Sequence, residues 1–446
     1  MSIFQPYDIR GRYPKEINED IVKDIAQRFV EMIERREKNK DIIISRDNRL
    51  SSPELAKAAR DAITEFGYNV IDIGMAPISL FYFSMRKFKA PGIMITASHN
   101  PPDYNGIKPC WSDTMAFSQA EIQELSKKPK PRKVEQKGVV REEDVLQDYI
   151  SYLRDRFSFT KSLKVVFDTG NGSVGPTLKA VMDSFGHDYK ILFEEPDGSY
   201  PNHMPDPTKP ENMKRLREAV LEGGADMGVG FDGDGDRSVF VDEKGNVILG
   251  DRILIIFAKQ MLKENPGEKI IYDIRSTMAL EGEIKKCGGI PIVSKAGRIF
   301  LREKLNKENG ILAGETTSHF FFRENGGYDE GIFAALKMME IIDTAGKLSE
   351  LDSQIPRYFS SPDMRLSCKN KDEVVEKVKE YFEKNPKVKK IITIDGVKII
   401  FENGWVLVRR SNTEEMINIR AEAKTKGTLD EIEELIMKQV EKVMVK

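Results

Sequence analysis

Ile42-Ile-Ile-Ser-Arg-Asp47 opens the pattern that decides the fold. An apolar strand runs into an aspartate and a small-residue turn, a helical pattern follows from Pro53 to Glu65, and Gly67 precedes a second apolar strand, Val70-Ile-Asp-Ile73. The pattern returns twice. Val165-Val-Phe-Asp168 leads into a helix near Pro176 to Phe185, then Gly186 and Tyr189-Lys-Ile-Leu-Phe193. Ile270-Ile-Tyr-Asp273 leads into a helix near Met278 to Cys287, then Gly288-Gly289 and Pro291-Ile-Val293. Strands alternating with helices build βαβ units and largely parallel sheet. The expected fold class is therefore α/β, with three similar domains whose mixed sheets are flanked by helices.

From about Pro362 the rhythm changes. A strand and a helix from Asp372 to Asn385 precede a hairpin, Gly396 to Arg409, turning about Asn403-Gly404. Asn-Gly between alternating strands is a strong hairpin signal. A strand near Ile417 to Ala421 and a closing helix complete a smaller α+β domain, with helices on one face of an antiparallel sheet. Lys127-Lys-Pro-Lys-Pro-Arg-Lys133 reads as a solvated surface loop. An amphipathic helix from about Glu142 to Phe157 leads into the second unit, and Gly245-Asn246 reads as a turn near its end. Domains are accordingly expected at 1–150, 151–248, 249–360 and 361–446.

Bulk properties narrow the functional classes. A chain of 446 residues exceeds one ordinary core. Its 70 basic and 72 acidic residues argue against a nucleic-acid partner or a polybasic membrane contact. Cys110, Cys287 and Cys368 have no metal-ligand spacing and suit a reducing cytoplasm better than a disulfide framework. No apolar stretch approaches the roughly 20 residues needed to span a bilayer, and the N-terminus lacks a signal-peptide pattern. A soluble cytoplasmic protein is expected, with its oligomeric state left open.

Gly228-Val-Gly-Phe-Asp-Gly-Asp-Gly-Asp-Arg237 places carboxylates at alternate positions. Extended backbone would put all three on one side, and the glycines let the chain curl around a cation. Hard oxygen donors suit Mg²⁺, which prefers few carboxylates plus phosphate oxygens. An EF-hand begins similarly, but Arg237 stands where its sixth-position Gly is required, and Met227 to Phe231 and Ser238 to Val241 read as strands. A bland acidic turn would leave three carboxylates repelling one another. Mg²⁺ and three carboxylates sum to about −1, and a phosphoserine adds roughly −1.5 to −2. Cations must complete such a site, and Arg237 is the first candidate.

Two glycine patterns invite a different reading. Gly228, Gly230 and Gly233 fit G-x-G-x-x-G but are crowded by Asp232 and Asp234. Gly170, Gly172 and Gly175 follow a strand, open a helix and have Glu194 a little over 20 residues on, the context of a dinucleotide fold. An NAD-dependent oxidoreductase is therefore the alternative from another class, although Asp168 beside that turn would oppose a pyrophosphate.

Ile93-Met-Ile-Thr-Ala-Ser-His-Asn-Pro-Pro-Asp-Tyr-Asn-Gly-Ile-Lys108 is an apolar strand breaking into a rigid, turn-rich loop. Ser98 at the strand end is a candidate nucleophile with Lys108 returning toward it; a serine that only bonds its local backbone is the plain alternative. Here the chain resembles the α-D-phosphohexomutases, in particular their phosphomannomutase/phosphoglucomutase branch. ASHNPPDYNGIK resembles the phosphoserine loop of that family and FDGDGDR its metal loop. Phe4 to Gly11, FQPYDIRG, is closer to the mannose/glucose signature than to that of the phosphoglucosamine branch. Gly314-Glu-Thr-Thr-Ser-His319 is similar to the sugar-binding loop. Asp395-Gly-Val with Gly404-Trp-Val-Leu-Val-Arg-Arg-Ser-Asn-Thr413 is similar to the C-terminal phosphate-binding region. These matches run in family order from residue 4 to about 422. Two departures stand out: Thr317 and Ser318 replace the usual Ser and Gly of the sugar loop, and Glu415 stands where the phosphate loop usually has Pro.

The resemblance implies interconversion of hexose 1-phosphate and hexose 6-phosphate, with glucosamine phosphate as the alternative substrate. Phosphorylated Ser98 would give its phosphoryl group to the free hydroxyl, forming a bound hexose 1,6-bisphosphate that turns around and returns the other group. One Mg²⁺ per chain would sit among Ser98, Asp232, Asp234 and Asp236. Lys108, Arg10 and His99 would serve catalysis beside Ser98. Arg237, Lys295, Glu315, Thr317, His319, Arg409, Ser411, Asn412 and Thr413 would bind the sugar phosphate.

Overall fold

The computed structural model describes residues 3–6, 8–411 and 415–444. The chain divides into two compact units, residues 1–249 with 317–351, and residues 250–316 with 352–446. Its architecture is that of three α/β repeats with mixed or parallel sheets and a smaller C-terminal α+β part. Among the described residues, no helix is long and apolar enough to cross a membrane.

The first unit holds two sheets of one design. In the first, Asp41–Arg46 runs parallel to both Asn69–Met75 and Gly92–Ile95. Tyr104–Cys110 then returns antiparallel to Gly92–Ile95, and Ile9–Arg12 pairs on its far side. The Asp41–Arg46 strand has apolar residues in succession because both of its faces are covered. Ile42 and Ile44 point into a core shared with helices Glu19–Arg36 and Ser52–Glu65, whereas Ile43 packs with Ile71, Phe81 and Met94 on the other face. Asn18 caps the first of these helices through its side chain, 3.1 Å from the Ile21 amide, meeting one of the unpaired donors of its first turn.

The second sheet repeats this order. Lys164–Asp168 runs parallel to Asp188–Leu192 and Met227–Phe231, and Ser238–Asp242 returns antiparallel. Each sheet therefore has a connection at the same place, between an inner parallel strand and its antiparallel neighbour. Residues 96–103 make that connection in the first sheet and residues 232–237 in the second.

In the second unit, Lys269–Asp273 runs parallel to Ile290–Ser294 and Leu312–Gly314, the third copy of the pattern. An aspartate ends the first strand of every copy for one reason. Asp47, Asp168 and Asp273 each accept a hydrogen bond from the amide two residues on, at 3.0, 2.9 and 2.6 Å, closing the turn by a side chain. The C-terminal part is antiparallel, ordered Phe359–Ser360, Met416–Ala423, Gly404–Arg410, Val397–Ile400, Lys390–Ile392. Helices Lys371–Glu383 and Lys426–Val443 bury Val378, Phe382, Ile432 and Ile436 in its core.

One expected element differs. The helix from Glu142 to Phe157 is shorter, Leu146–Arg154. Val140–Glu142 instead adds an edge strand beside Asn69–Met75, and the Glu143 amide donates to Asp72. Pairing with a preformed sheet edge outweighs the helical pattern, and Asp144 Oδ1 accepts the Leu146 amide at 2.9 Å just before the later helix start. The 127–133 run is irregular; Lys128 and Arg132 pair with Asp24 and Glu34 on the first helix.

Candidate active site

Ser98 sits at the end of Gly92–Ile95 with a positive φ of 50°, a backbone conformation disfavoured for a serine. The turn is held from inside. The Ser98 amide donates to Thr96 Oγ1 at 2.9 Å, and that hydroxyl donates to Asp234 Oδ2 at 3.1 Å. The Ser98 hydroxyl then faces the metal loop and donates to Asp232 Oδ2 at 2.6 Å, with His99 Nδ1 3.1 Å away. Backbone approaches backbone here: a Cβ built on Gly233 would lie 2.5 Å from the Ser98 carbonyl oxygen.

The three carboxylates converge, but not through extended backbone. Residues 232–237 form a tight turn in which Asp232 Oδ1 accepts the amides of Gly235 and Arg237, both at 3.1 Å. One ligand atom from each of Asp232, Asp234 and Asp236 lies within 4.8 Å of the others, and all three side chains are buried. Burial first, then the charges of Asp236 and Asp234, push the Asp232 carboxyl well above the usual carboxylate range. The Lys108 ammonium offsets part of this, 2.7 Å from Asp234 Oδ2 and 2.7 Å from Asp236 Oδ2. Asp234 Oδ1 is buried without a hydrogen-bond partner, a costly state for an acceptor. A convergent set of hard oxygens with one such orphan fits a divalent cation of the Mg²⁺ type.

Further cations surround the pair of loops. Arg10 bonds Asp8 through Nε at 2.8 Å and reaches the Ala97 carbonyl at 3.1 Å and the Asn100 side chain. Burial works against its charge, but Asp8, then Asp234 and Asp236, hold the guanidinium pKa above its ordinary value. Burial, then Arg237 and Arg10, push the His99 imidazole far below its usual range, so it is neutral near pH 7. Arg237 Nε donates to His319 Nε2 at 3.2 Å, and that nitrogen lies 3.1 Å from Asp236 Oδ1. Thr317 begins the same segment and is half-buried, and Ser318 has φ of 67°, the left-handed backbone for which glycine is better suited.

The first unit thus brings together Ser98, His99, Lys108, Arg10, Asp232, Asp234, Asp236, Arg237 and His319. The second unit carries Lys295, Glu315, Arg409 and Ser411. Glu315 is buried and accepts from Arg275 at 3.2 Å and from the Gly297 amide at 3.3 Å. Lys295 is exposed, 5.3 Å from the Phe300 ring centroid. Arg409 pairs with Asp395 at 2.7 Å, whose Oδ2 also accepts the Ala296 amide at 3.0 Å. The Ser411 carbonyl accepts from Lys371 at 2.7 Å. Asn412 and Thr413 lie outside the described residues. Sequence reading overlooked Arg275, Asp8 and Thr96. Asp8 and Arg10 lie two apart in one quoted motif, a signal that was present; Thr96 and Arg275 had none beyond their nearness to strand ends.

The glycine turn of the second repeat does not fit a dinucleotide. A Cβ on Gly172 would lie 2.7 Å from the Gly233 carbonyl oxygen. That carbonyl accepts the Ser173 amide at 3.0 Å, so the helix N-terminus is spent on the metal loop. Asp168 at the turn pairs with His203 at 3.1 Å.

A buried serine facing a carboxylate triad, on α/β repeats, suits metal-dependent phosphoryl transfer. Family models agree along the chain. The phosphoglucomutase/phosphomannomutase α/β/α domains I, II and III match residues 1–133, 147–245 and 249–358, and the C-terminal domain of that family matches residues 364–439. The phosphomannomutase/phosphoglucomutase of Pseudomonas syringae pv. tomato is 36% identical over 450 residues, covering 99% of this chain and 96% of that protein. A phosphoglucomutase of Neisseria gonorrhoeae is 35% identical over 97% of this chain and 95% of its own length. The crystal structure of a phosphoglucomutase/phosphomannomutase family protein from Burkholderia thailandensis superposes with a TM-score of 0.92 at 31% identity, covering 100% of this chain and 98% of that one. The chain belongs to the phosphoglucomutase/phosphomannomutase family of phosphotransferase isomerases.

Proposed function

We propose that this protein interconverts hexose 1-phosphate and hexose 6-phosphate, with glucose and mannose as the sugars, through phosphorylated Ser98 and a bound hexose 1,6-bisphosphate. The observation that carries the reading is the Ser98 hydroxyl, 2.6 Å from Asp232 at the mouth of a buried carboxylate triad. Named relatives acting as phosphomannomutases and phosphoglucomutases support the substrate class.

In the first half-reaction the Ser98 Oγ–phosphorus bond breaks as the free sugar hydroxyl bonds to phosphorus, and the proton that hydroxyl gives up ends on Ser98 Oγ. In the second, Ser98 Oγ takes back the other phosphoryl group as the bond from phosphorus to the sugar oxygen breaks, and the Ser98 proton, held toward Asp232 Oδ2 at 2.6 Å, ends on that sugar oxygen. Asp232, Asp234 and Asp236 with the Ser98 oxygens would hold one Mg²⁺, which supplies neutralising charge to the transferring group. Arg10, with its charge secured by Asp8, acts as a fixed cation rather than a base. Lys108 balances Asp234 and Asp236. Arg237 and His319 are substrate ligands with Thr317. Glu315 holds sugar hydroxyls, and Arg409, Ser411, Asn412 and Thr413, with Lys295, hold the phosphate that is not reacting, a task suited to a guanidinium fork. The four-part division at 150, 248 and 360 belongs to the same reading, and the spans of the four family models support it.

The test is direct. Peptide mapping of the active protein should find one phosphate, on Ser98, that exchanges with labelled glucose 1-phosphate, and added bisphosphate should restore activity to dephosphorylated protein. Steady turnover of glucose 1-phosphate and mannose 1-phosphate with Ser98 never labelled would sink the reading.

A further inference from the structure

Heading the largest fully buried side chains among the described residues is a cation, Arg49. Its guanidinium is spent on backbone. Nη2 donates to the carbonyls of Ser98 at 2.7 Å and Asn100 at 2.6 Å, and Nη1 donates to those of Pro101 at 2.6 Å and Tyr104 at 3.0 Å. Four carbonyls of one loop thus point inward onto one planar fork. Asp47 supplies the counter-charge, 3.2 Å from Nε, and is itself fixed by Ser52 Oγ at 2.5 Å. The Tyr200 ring centroid lies 5.3 Å from the guanidinium carbon. An ammonium has three donors on one atom and cannot span four acceptors held this far apart.

The repeat gives an independent reason to treat this as a device. Arg49 stands two residues after the strand-end aspartate of the first copy, and Arg275 stands two residues after that of the third. Arg275 also pairs with its aspartate, at 2.6 Å, and also reaches the loop after the neighbouring parallel strand, at Glu315, 3.2 Å away. In the second copy the same position is Gly170, and the Ser173 amide holds the metal loop instead.

We propose that Arg49 is the positioning residue of the serine loop: it holds Ser98 in its left-handed conformation and aims the hydroxyl at Asp232, so that it sets the rate of phosphoryl transfer rather than the affinity for substrate. The inference rests on Ser98 being the phosphoryl carrier. Misplacing a reacting group by about 1 Å can cost roughly 10²-fold in rate.

The experiment uses the full chain with Arg49→Lys and Arg49→Gly. Folded fraction is measured by melting, kcat and KM with glucose 1-phosphate, and Ser98 phosphate by intact mass. Folded Arg49→Lys should lose about 10²-fold in kcat while KM moves by no more than a few-fold. Millimolar guanidinium should recover at least tenfold of the activity lost by Arg49→Gly, and should do nothing for the parent. A kcat per folded molecule within twofold of the parent overturns the proposal, as does a loss wholly explained by unfolding or a failure of guanidinium to rescue folded Arg49→Gly. If the parent itself never carries phosphate on Ser98, the proposed function fails, an outcome read from a different measurement.

Discussion

The serine loop and the metal loop occupy the same place in two sheets of one design, yet they are built by opposite means. Around the serine loop, Ser98, Asn100, Pro101 and Tyr104 turn their carbonyls inward, and a buried side chain, Arg49, holds them. Residues 232–237 turn amides inward, and a buried carboxylate, Asp232, accepts them. The sign of the exposed backbone dipole decides the sign of the side chain that completes each loop. What remains pointing outward differs accordingly: a hydroxyl in the first, a surplus of negative charge in the second. A duplicated connection thus presents a serine hydroxyl in one copy and a cluster of carboxylates in the other.

That division of labour can be broken at either side. The largest effect is expected from Ser98→Ala, which removes the proposed phosphoryl carrier and should lower kcat by about 10⁴-fold or more while the melting curve stays close to that of the parent. Asp234→Asn attacks the cradle. It should weaken Mg²⁺ binding in a calorimetric titration and lower kcat by roughly 10²–10³-fold, and chelation of the parent should do the same without unfolding it. Retained Mg²⁺ affinity in that variant would contradict the role given to the triad. Gly233→Ala tests the contact between the loops, because its Cβ would meet the Ser98 carbonyl at 2.5 Å. A kcat loss of about 10²-fold at near-constant KM is expected.

Smaller effects come from the supports. His203 donates from Nδ1 to the Met204 carbonyl at 2.8 Å and faces both Asp168 oxygens through Nε2 at 3.1 and 3.2 Å. Burial opposes its charge, but the Asp168 bond and charge and the Met204 carbonyl raise its pKa above the ordinary value. A raised folded pKa stabilises the native state fully below the unfolded value of about 6.5. That contribution fades as pH rises through the folded pKa. His203→Gln should therefore lose stability relative to the parent at pH 5.5 and converge with it toward pH 9, read from denaturant midpoints. The smallest change is Ser318→Gly, which relieves a left-handed serine and should gain about 1 kcal/mol with kcat little altered.

Much of this was legible in the sequence because it depends on local periodicity. The strand–helix–strand units at Ile42, Val165 and Ile270, the strands flanking Asp232 to Asp236 and the hairpin at Asn403-Gly404 all appear where pattern put them. The Glu142 to Phe157 helix appears only as Leu146–Arg154, since an open sheet edge took Glu142 into a strand. The Gly170 turn misled for a related reason. Gly172 serves close packing against the Gly233 carbonyl and Gly175 against the Glu194 carbonyl, and a pattern cannot tell a protein carbonyl from a pyrophosphate.

By itself the sequence determined the repeat, the residue types gathered in the Ser98 and Asp232 loops and the family they resemble, because strand period and turn chemistry are written within a few neighbouring residues. Only the tertiary structure decided which partners the site residues meet. Arg49 and Lys108 meet their partners across 49 or more positions of chain, and His319 meets Asp236 across 83. Such pairings are set by sheet order and burial, which no local pattern encodes.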